Sequence, residues 1–246
     1  MPDKTTIDAL CYVLYHESDA VIRTVAAESL GFLGDSRSVD ALIYTANEEN
    51  KTLRRAAIRS LGYIGDKKAI NTLINAYRDE DPQIWKMATE ALRKCGGGGI
   101  EALKSALMTA DHSFPRDRAA QALNELNWIP EKEESTIYYL MGKNKWSELE
   151  KIGKPAIGPL SEVLTDNNID TRINAVILIA EIGGDEALIP LAKALCDKSQ
   201  IVRKKAEKSI IAIGSPAIPV LEKIVSNARD PDERTLTMNV LRKIKG

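Results

Sequence analysis

The sequence predicts an all-α protein built as an α-solenoid, an alpha-alpha superhelix of stacked helical hairpins. The first observation is a window of 15 residues that recurs seven times along the 246-residue chain, at intervals of 31 residues with one interval of 56. A fixed period in this range is typical of solenoid proteins. The second and third observations are a helix start signal and a helix stop signal that recur at the same spacing. The windows begin at residues 21, 52, 83, 114, 170, 201 and 232.

Each window predicts a first helix, because a start position and a stop position enclose it. Six of the seven start positions hold a short polar side chain that accepts hydrogen bonds from the free amides of a first helical turn. The stop positions hold Gly or Asn, the residues that adopt a left-handed backbone with least strain. The start positions are Asp19, Asn50, Asp81, His112, Asn168, Ser199 and Asp230, and the stop positions are Gly34, Gly65, Gly96, Asn127, Gly183 and Gly214.

Two columns predict the buried face of this first helix. A column of Ala is followed four residues later by a column of Leu or Ile, a spacing that places both on one helical face. The small Ala side chain predicts that another helix packs closely against it. The Ala column is Ala26, Ala57, Ala88, Ala119, Ala175 and Ala206, and the larger column is Leu30, Leu61, Leu92, Leu123, Ile179, Ile210 and Leu241.

A shorter apolar pattern after each stop predicts a second helix. Val39 and Leu42 begin one example, and Pro155 and Pro216 lie near the start of two others, where a missing N–H is tolerated. Residues 3–16 are predicted to form one unpaired helix of this second type. A single hairpin cannot bury both of its apolar faces, so the hairpins are expected to stack.

The interval of 56 residues predicts a division of the chain into three parts. We expect N-terminal repeats over 1–127, with a half-repeat before about four repeats of which the last is incomplete. An inserted helical segment follows at 128–145, and C-terminal repeats occupy 146–246. Pro130 ends the preceding helix, the acidic run 131–134 suits a new helix N-terminus, and an abbreviated first helix is predicted from Trp146 to Ile152.

The repeat resembles a known family once its columns are written together. The pattern V-R-x-x-A-x-x-x-L-G-x-I-G-D, followed by A-[IL]-x-x-L, resembles the HEAT repeat in the short variety seen in phycobilisome-lyase-type proteins, and it extends over nearly the whole chain. The resemblance implies an α-solenoid whose first helices line the convex side and whose second helices line the concave side. It also implies no single activity, because the repeat is a scaffold.

Composition and charge restrict the classes of partner. The net charge is −1, with −2 over residues 1–127 and +1 over the rest, so no half forms a basic arm of the kind that sequence-independent nucleic-acid binding needs. We expect no nucleic-acid partner, no membrane association and a cytoplasmic location. Cys11, Cys95 and Cys196 are an odd number and far apart, so buried reduced thiols are expected.

The sequence contains no catalytic constellation, and we expect neither a metal ion nor a cofactor. Gly96 to Gly99 are not followed by the Lys and Ser/Thr of a phosphate-binding loop, so a loose turn between helices is expected. His16 and Glu17 form the kind of pair that deoxyhypusine hydroxylase-like proteins use for iron, but only two His occur in the chain. A nucleophilic pair of Cys11 and His16 stays open, although five residues separate them.

We therefore predict a non-enzymatic scaffold that binds a partner protein or extended peptide on the concave face of the second helices. The residues predicted to bind are Tyr44, Asn75, Arg78 and Lys104. The wider set of outward positions on the second helices is Asp40, Tyr44, Asn71, Asn75, Arg78, Glu101, Lys104, Glu162, Lys193 and Lys223.

Three alternatives are enzymatic. A bilin lyase-like subunit and a deoxyhypusine hydroxylase-like oxidoreductase share the repeat, and a HEAT-like DNA glycosylase would need a cationic groove with aromatic residues.

Two further features have open roles. Trp85 lies in a column otherwise held by Arg, and it either covers a neighbouring repeat or is exposed for binding. The helix predicted at 231–245 has no second helix after it within this sequence to cover Leu241 and Ile244. Self-association or docking through its exposed side is a hypothesis.

Overall fold

The computed structural model describes residues 3–109 and 115–246, and those residues form sixteen α-helices and no strand. In chain order the helices are α1 (Lys4–His16), α2 (Ala20–Leu33), α3 (Val39–Thr45), α4 (Lys51–Ile64), α5 (Ile70–Asn75), α6 (Pro82–Lys94), α7 (Gly97–Met108), α8 (Arg116–Glu125), α9 (Glu133–Gly142), α10 (Trp146–Ile152), α11 (Ile157–Glu162), α12 (Ile169–Ile182), α13 (Asp185–Ala194), α14 (Gln200–Ile213), α15 (Ile218–Asn227) and α16 (Pro231–Lys245).

The helices confirm the predicted α-solenoid. They form two compact units that divide after residue 129. In the N-terminal unit the first helix α2 packs on α4 and α4 packs on α6, while the second helix α5 packs on α7. In the C-terminal unit α12 packs on α14, α14 on α16 and the second helix α13 on α15. The division into residues 1–127, 128–145 and 146–246 stays a prediction.

The predicted start signals act as helix caps wherever the structure describes them. The Asp19 carboxylate accepts hydrogen bonds from the amides of Val21 and Ile22, at 2.7 and 3.4 Å. The same type of bond is accepted by the side chains at the other described start positions, which are Asn50, Asp81, Asn168, Ser199 and Asp230. His112 lies outside the described residues. The start column is therefore confirmed in every described repeat.

The predicted stop signals also hold, with one correction beside Gly96. The six stop residues all have positive φ, from 56° at Asn127 to 71° at Gly214. Gly97 to Gly99, however, form the first turn of α7 rather than a loose turn. A Cβ at Gly99 would clash with the carbonyl oxygen of Leu92 in α6. Gly99 therefore allows α6 and α7 to come close.

The Ala column is buried throughout, as predicted. All six Ala side chains are at most 3% exposed. Other small residues extend the same contact between first helices, since a Cβ at Gly31 would overlap Ser60, and the Ser60 hydroxyl donates to the carbonyl of Ala27 at 2.8 Å. In the last repeat Thr237 occupies the column; it is fully buried, and its hydroxyl has no hydrogen-bond partner among the described residues.

The Arg column links consecutive repeats through their turns. Arg54 donates to the carbonyls of Glu48 and Glu49, which follow one second helix, and its Nε lies 2.8 Å from the Asp79 carboxylate, which follows the next. Arg23 and Arg172 repeat this arrangement; they pair with Glu48 and Asp197 and donate to the carbonyls of Leu14 and of Asp166. Arg116, Arg203 and Arg234 make the carbonyl contacts.

Trp85 interrupts this column. Of the two predicted roles for its side chain, exposure for binding is wrong. The Trp85 side chain is only 8% exposed. The guanidinium of Arg118, from the next repeat, lies 5.7 Å from the Trp85 ring centroid and donates to the carbonyls of Tyr77 and Asp79 at 2.5 and 2.7 Å. A cation from a neighbouring helix thus supplies the carbonyl contacts that Trp85 cannot make.

The insertion follows the predicted pattern. Helix α9 is the extra helix, and α10 has the predicted bounds of the abbreviated first helix, Trp146–Ile152. Ile137, Tyr138 and Met141 are buried, and the Tyr138 hydroxyl donates to Glu162 at 2.5 Å. The large side chains of the insertion therefore fill the interior beside α11.

Within the described chain, no single helix is long and apolar enough to cross a membrane. Residues Gln200–Ile213 and Ser215–Asn227 reach the required length and apolarity only together, across a bend of 105°.

Overpacking tests the Ala column. Ala57→Leu inserts three carbons where α4 meets its neighbours, and we expect the free energy of unfolding to fall by about 1 to 3 kcal/mol. Chemical denaturation of the purified chain measures this loss. Ala9→Leu, at an exposed position of α1, is the matched control and should be nearly neutral. An equal effect of the two changes would contradict close packing at Ala57.

A second prediction concerns the buried ion pair of the Arg column. The side chains of Arg172 and Asp197 are 2% and 6% exposed, so Arg172→Leu leaves a buried carboxylate without its cation. Breaking a buried pair in this way costs about 3 to 5 kcal/mol. Arg203→Leu removes similar carbonyl contacts without orphaning a carboxylate and should cost less. Equal losses in denaturant unfolding would show that the carboxylate contact contributes nothing.

Candidate functional site

The candidate site is a groove in the C-terminal unit, between the second helices α11 and α13. Its volume is about 940 Å³. The residues that supply its apolar lining are Ile157, Leu164, Ile189, Pro190 and Ala194. Grooves of this size with an apolar lining and a few polar groups are typical binding sites.

Local sequence explains why the groove is open and apolar. Gly158 of α11 has no side chain, and a Cβ placed there would meet nothing within 4 Å. Ile189 is 52% exposed, although its neighbours Leu188 and Leu191 are buried. Pro190 lies inside α13 and has no N–H to donate to the carbonyl of Glu186. The groove is therefore lined by the exposed Ile189 side chain and by Pro190, at which α13 lacks one backbone hydrogen bond.

Ion pairs lie among the groove's charged residues. The Lys154 ammonium is 3.6 Å from the Glu186 carboxylate, and the buried pair of Arg172 and Asp197 also lines the groove. A hydrogen bond from its own backbone amide, and next the charge of Lys154, hold the pKa of Glu186 below its usual range. Two further cations, Lys193 and Lys198, line the groove. Neither forms an ion pair with another described residue.

The four residues predicted to bind lie in the N-terminal unit, and the structure brings only two of them into contact. Arg78 donates to the side-chain oxygen of Asn75 at 3.1 Å, and both line a smaller cavity of about 390 Å³. Tyr44 is 55% exposed but does not line that cavity. Lys104 is half-buried, with its ammonium 2.8 Å from Glu101 and 5.9 Å from the Trp128 ring centroid.

The groove was only partly visible in the sequence. Glu162 and Lys193 belong to the predicted outward positions, and both line it. Ile189 and Pro190 were missed because the apolar face of α13 was assigned to Leu188 and Leu191. The sequence did contain a signal for Ile189. It is adjacent to Leu188, and two consecutive residues of a helix cannot both point toward the interior.

The groups with potential chemistry include the three thiols and His16, and the pKa of each thiol is raised rather than lowered. The described residues contain no cluster of three His, Cys, Asp or Glu side chains that could hold a metal ion. Burial, as the main cause, raises the pKa of the Cys11 and Cys95 thiols, which is opposite to the shift of an activated Cys. His16 Nδ1 lies 2.9 Å from the carbonyl oxygen of Tyr12, and no hydrogen bond joins His16 to Cys11 within the described part of the chain.

The expectation of three buried thiols needs a correction. Cys95 is buried, Cys11 is half-buried, and Cys196 is exposed. Cys196 follows the end of α13 and lines the groove. The buried position of the apolar pattern is Leu195, one residue earlier, so Cys196 points to a different side.

Solved structures resemble this chain at low identity. They include the complex of CpcE and CpcF of phycocyanin lyase from Nostoc sp. PCC7120 (21% identity, 99% of this chain and 96% of that one, TM-score 0.34). Human deoxyhypusine hydroxylase in complex with glycerol (19%, 97% and 84%, 0.34) is another. A third is the archaeal HEAT-like repeats protein from Thermococcus onnurineus NA1 (15%, 97% and 97%, 0.29). No curated protein sequence matches the chain.

The family model for HEAT repeats matches residues 39–124 and 157–242. These two segments cover well over half of the chain, and each begins at a second helix and contains the start, Ala and stop columns described above. The resemblance predicted from those columns is confirmed: this chain belongs to the HEAT-repeat family.

Proposed function

We propose that this chain is a non-enzymatic interaction scaffold that binds a partner protein or an extended peptide on the face formed by its second helices. The observation that supports this most directly is the groove between α11 and α13, with its volume of about 940 Å³ and its exposed Ile189. An apolar centre with a charged rim is the usual anatomy of a protein-binding surface.

The groove is also held by a rigid base, which favours binding. Arg172 is fixed by two hydrogen bonds to Asp197 and by two backbone carbonyls, and it lines the groove beneath the rim. A preformed surface loses less conformational entropy when a partner binds. Repeat proteins commonly use such extended surfaces for recognition.

The second helices of the N-terminal unit are proposed as a further part of the binding face. Tyr44, Asn75 and Arg78 are exposed there, and they stay candidates together with Lys104. The absence of nucleic-acid partners and a cytoplasmic location stay predictions.

Affinity capture from the native host tests the groove. Ile189→Glu places a charge on the apolar lining, and we expect it to lose the specific partner that the unchanged chain retains. Ile201→Glu is the matched control, because Ile201 is 62% exposed on the first helix α14 and lies outside the groove; it should retain the partner.

The Tyr44→Glu, Arg78→Glu double variant, captured in parallel, tests the N-terminal part of the face and should reduce recovery. Retention of the partner by both the Ile189 variant and this double variant would place binding elsewhere. A coloured or iron-containing preparation from the native host would favour the lyase-like or hydroxylase-like alternatives.

We also propose that α16 supports association between copies of the chain or docking of a partner. Leu241 and Ile244 on this helix are half-buried and retain apolar area for a further contact. For the self-association version, static light scattering should show a mass that rises with concentration, and Ile244→Glu should restore the monomer mass. A constant monomer mass at high concentration would contradict self-association.

A further inference from the structure

A cluster of aromatic rings lies on the second-helix face of the N-terminal unit, apart from the groove. It consists of Tyr12, Tyr15 and His16 on α1 and Tyr44 on α3. The Tyr12 and His16 rings stack with centroids 4.1 Å apart, Tyr15 meets His16 edge-on at 6.3 Å, and Tyr15 lies 5.3 Å from Tyr44. The three Tyr side chains are 46% to 64% exposed. The rings therefore form one continuous, solvent-facing aromatic surface, here called the aromatic cluster.

Two carboxylates flank the aromatic cluster. Asp8 lies one helical turn before Tyr12, and Asp40 lies one turn before Tyr44, a spacing that places each pair on the same side of its helix. Both Asp side chains are exposed. Partial burial, followed by the negative charges near it that include Asp40, raises the pKa of Tyr15. The carboxylate of Asp40 therefore acts on the cluster.

No ion pair within the described residues joins a Lys or Arg to Asp8 or Asp40. The nearby Arg37 is paired with Asp35 at 2.7 Å. The hydrogen bond to Asp35 is the main cause that raises the pKa of Arg37, and the charge of Asp8 also contributes. The surface thus combines electron-rich rings with two carboxylates that make no direct ion pair.

The rings of Tyr63, Trp85 and Trp128 do have a cation beside them. The Lys94 ammonium lies 4.8 Å from the ring centroid of Tyr63, and Lys104 lies 5.9 Å from that of Trp128. Trp85 has Lys86 and Arg118 within 6 Å. Within the described residues no Lys or Arg lies over a ring of the aromatic cluster. A cation over an aromatic ring is attracted by the ring quadrupole, and at this cluster that position is open.

We propose that the aromatic cluster with Asp8 and Asp40 is a docking site for an arginine- or lysine-bearing segment of a partner protein. The guanidinium or ammonium group packs on the Tyr rings, and the carboxylates neutralise its charge. The inference rests on the proposed function, because the ligand belongs to a partner protein and Tyr44 is one of the residues proposed to bind it; it does not depend on the groove.

Titration with synthetic peptides tests the proposal directly. The probes are a peptide of alternating Arg and Gly and a peptide of alternating Glu and Gly, added to the isotope-labelled full chain and followed by amide chemical shifts. We expect saturable shifts confined to α1 and α3 with the Arg peptide, and none there with the Glu peptide. Absence of saturable shifts in α1 and α3 with the Arg peptide overturns the proposal.

Variants assign the binding to the rings and to the charge. Tyr15→Ala and Tyr44→Ala each remove one ring and are expected to weaken Arg-peptide binding about twofold to fivefold, the range of an exposed cation–π contact. Asp40→Asn keeps the shape and should weaken both the binding and its dependence on salt. Unchanged affinity in all three variants overturns the proposal.

The matched control is the double variant Phe32→Ala, Tyr63→Ala. Phe32 and Tyr63 are also exposed and stacked, with centroids 5.7 Å apart, but they lie on first helices, and Tyr63 already has Lys94 over its ring. This variant should bind the Arg peptide as the unchanged chain does. An equal loss in the control would mean that the peptide binds without regard to site, which also overturns the proposal. The Ile189→Glu variant separates the two proposals, because Ile189 lines the groove and lies outside the aromatic cluster: its partner capture reports on the groove, and its Arg-peptide binding reports on the cluster.

Discussion

The constraint on which the structure depends is the attachment of one repeat to the next through the Arg column. Each second helix ends with carbonyl groups that lack a helical partner and carry partial negative charge. In the complete examples, Arg23, Arg54 and Arg172, one guanidinium donates to such carbonyls and also pairs with a carboxylate after the next second helix. A planar group with five donors can do both at once. The spacing between consecutive turns is thereby set by a single side chain.

This attachment leaves the second helices available for the proposed binding surfaces. The first helices pack against neighbouring first helices through the buried Ala column. The short second helices pack mainly through one face, and the Arg side chains bind the carbonyls at their ends. Their outward faces are free to vary without loss of the stack. In the N-terminal unit that face carries Tyr15 and Tyr44, and in the C-terminal unit it carries Ile189 and Lys193. One scaffold therefore presents two chemically different surfaces.

The local signals of the sequence predicted the elements closely, because caps, stops and apolar columns act within one helix. Asp19 and Gly34 enclose α2 as expected, and α10 has the bounds predicted from Trp146 and Ile152. A prediction was wrong where packing against another helix matters. Gly97 to Gly99 form the first turn of α7, and the missing side chain of Gly99 leaves room for the Leu92 carbonyl of α6.

The sequence by itself determined the solenoid, its period and the buried Ala column of the first helices, since a repeated helical pattern leaves few other ways to cover its apolar faces. Only the tertiary structure decided which side chains from different repeats meet. Arg118 donates to carbonyls that an Arg at position 85 would bind in the regular pattern, although it follows Trp85 by more than thirty residues. Tyr15 lies beside Tyr44, from which nearly thirty residues separate it. The physical reason is that contacts between repeats depend on how helices pack and where their side chains point, and these are three-dimensional quantities that a periodic pattern does not contain.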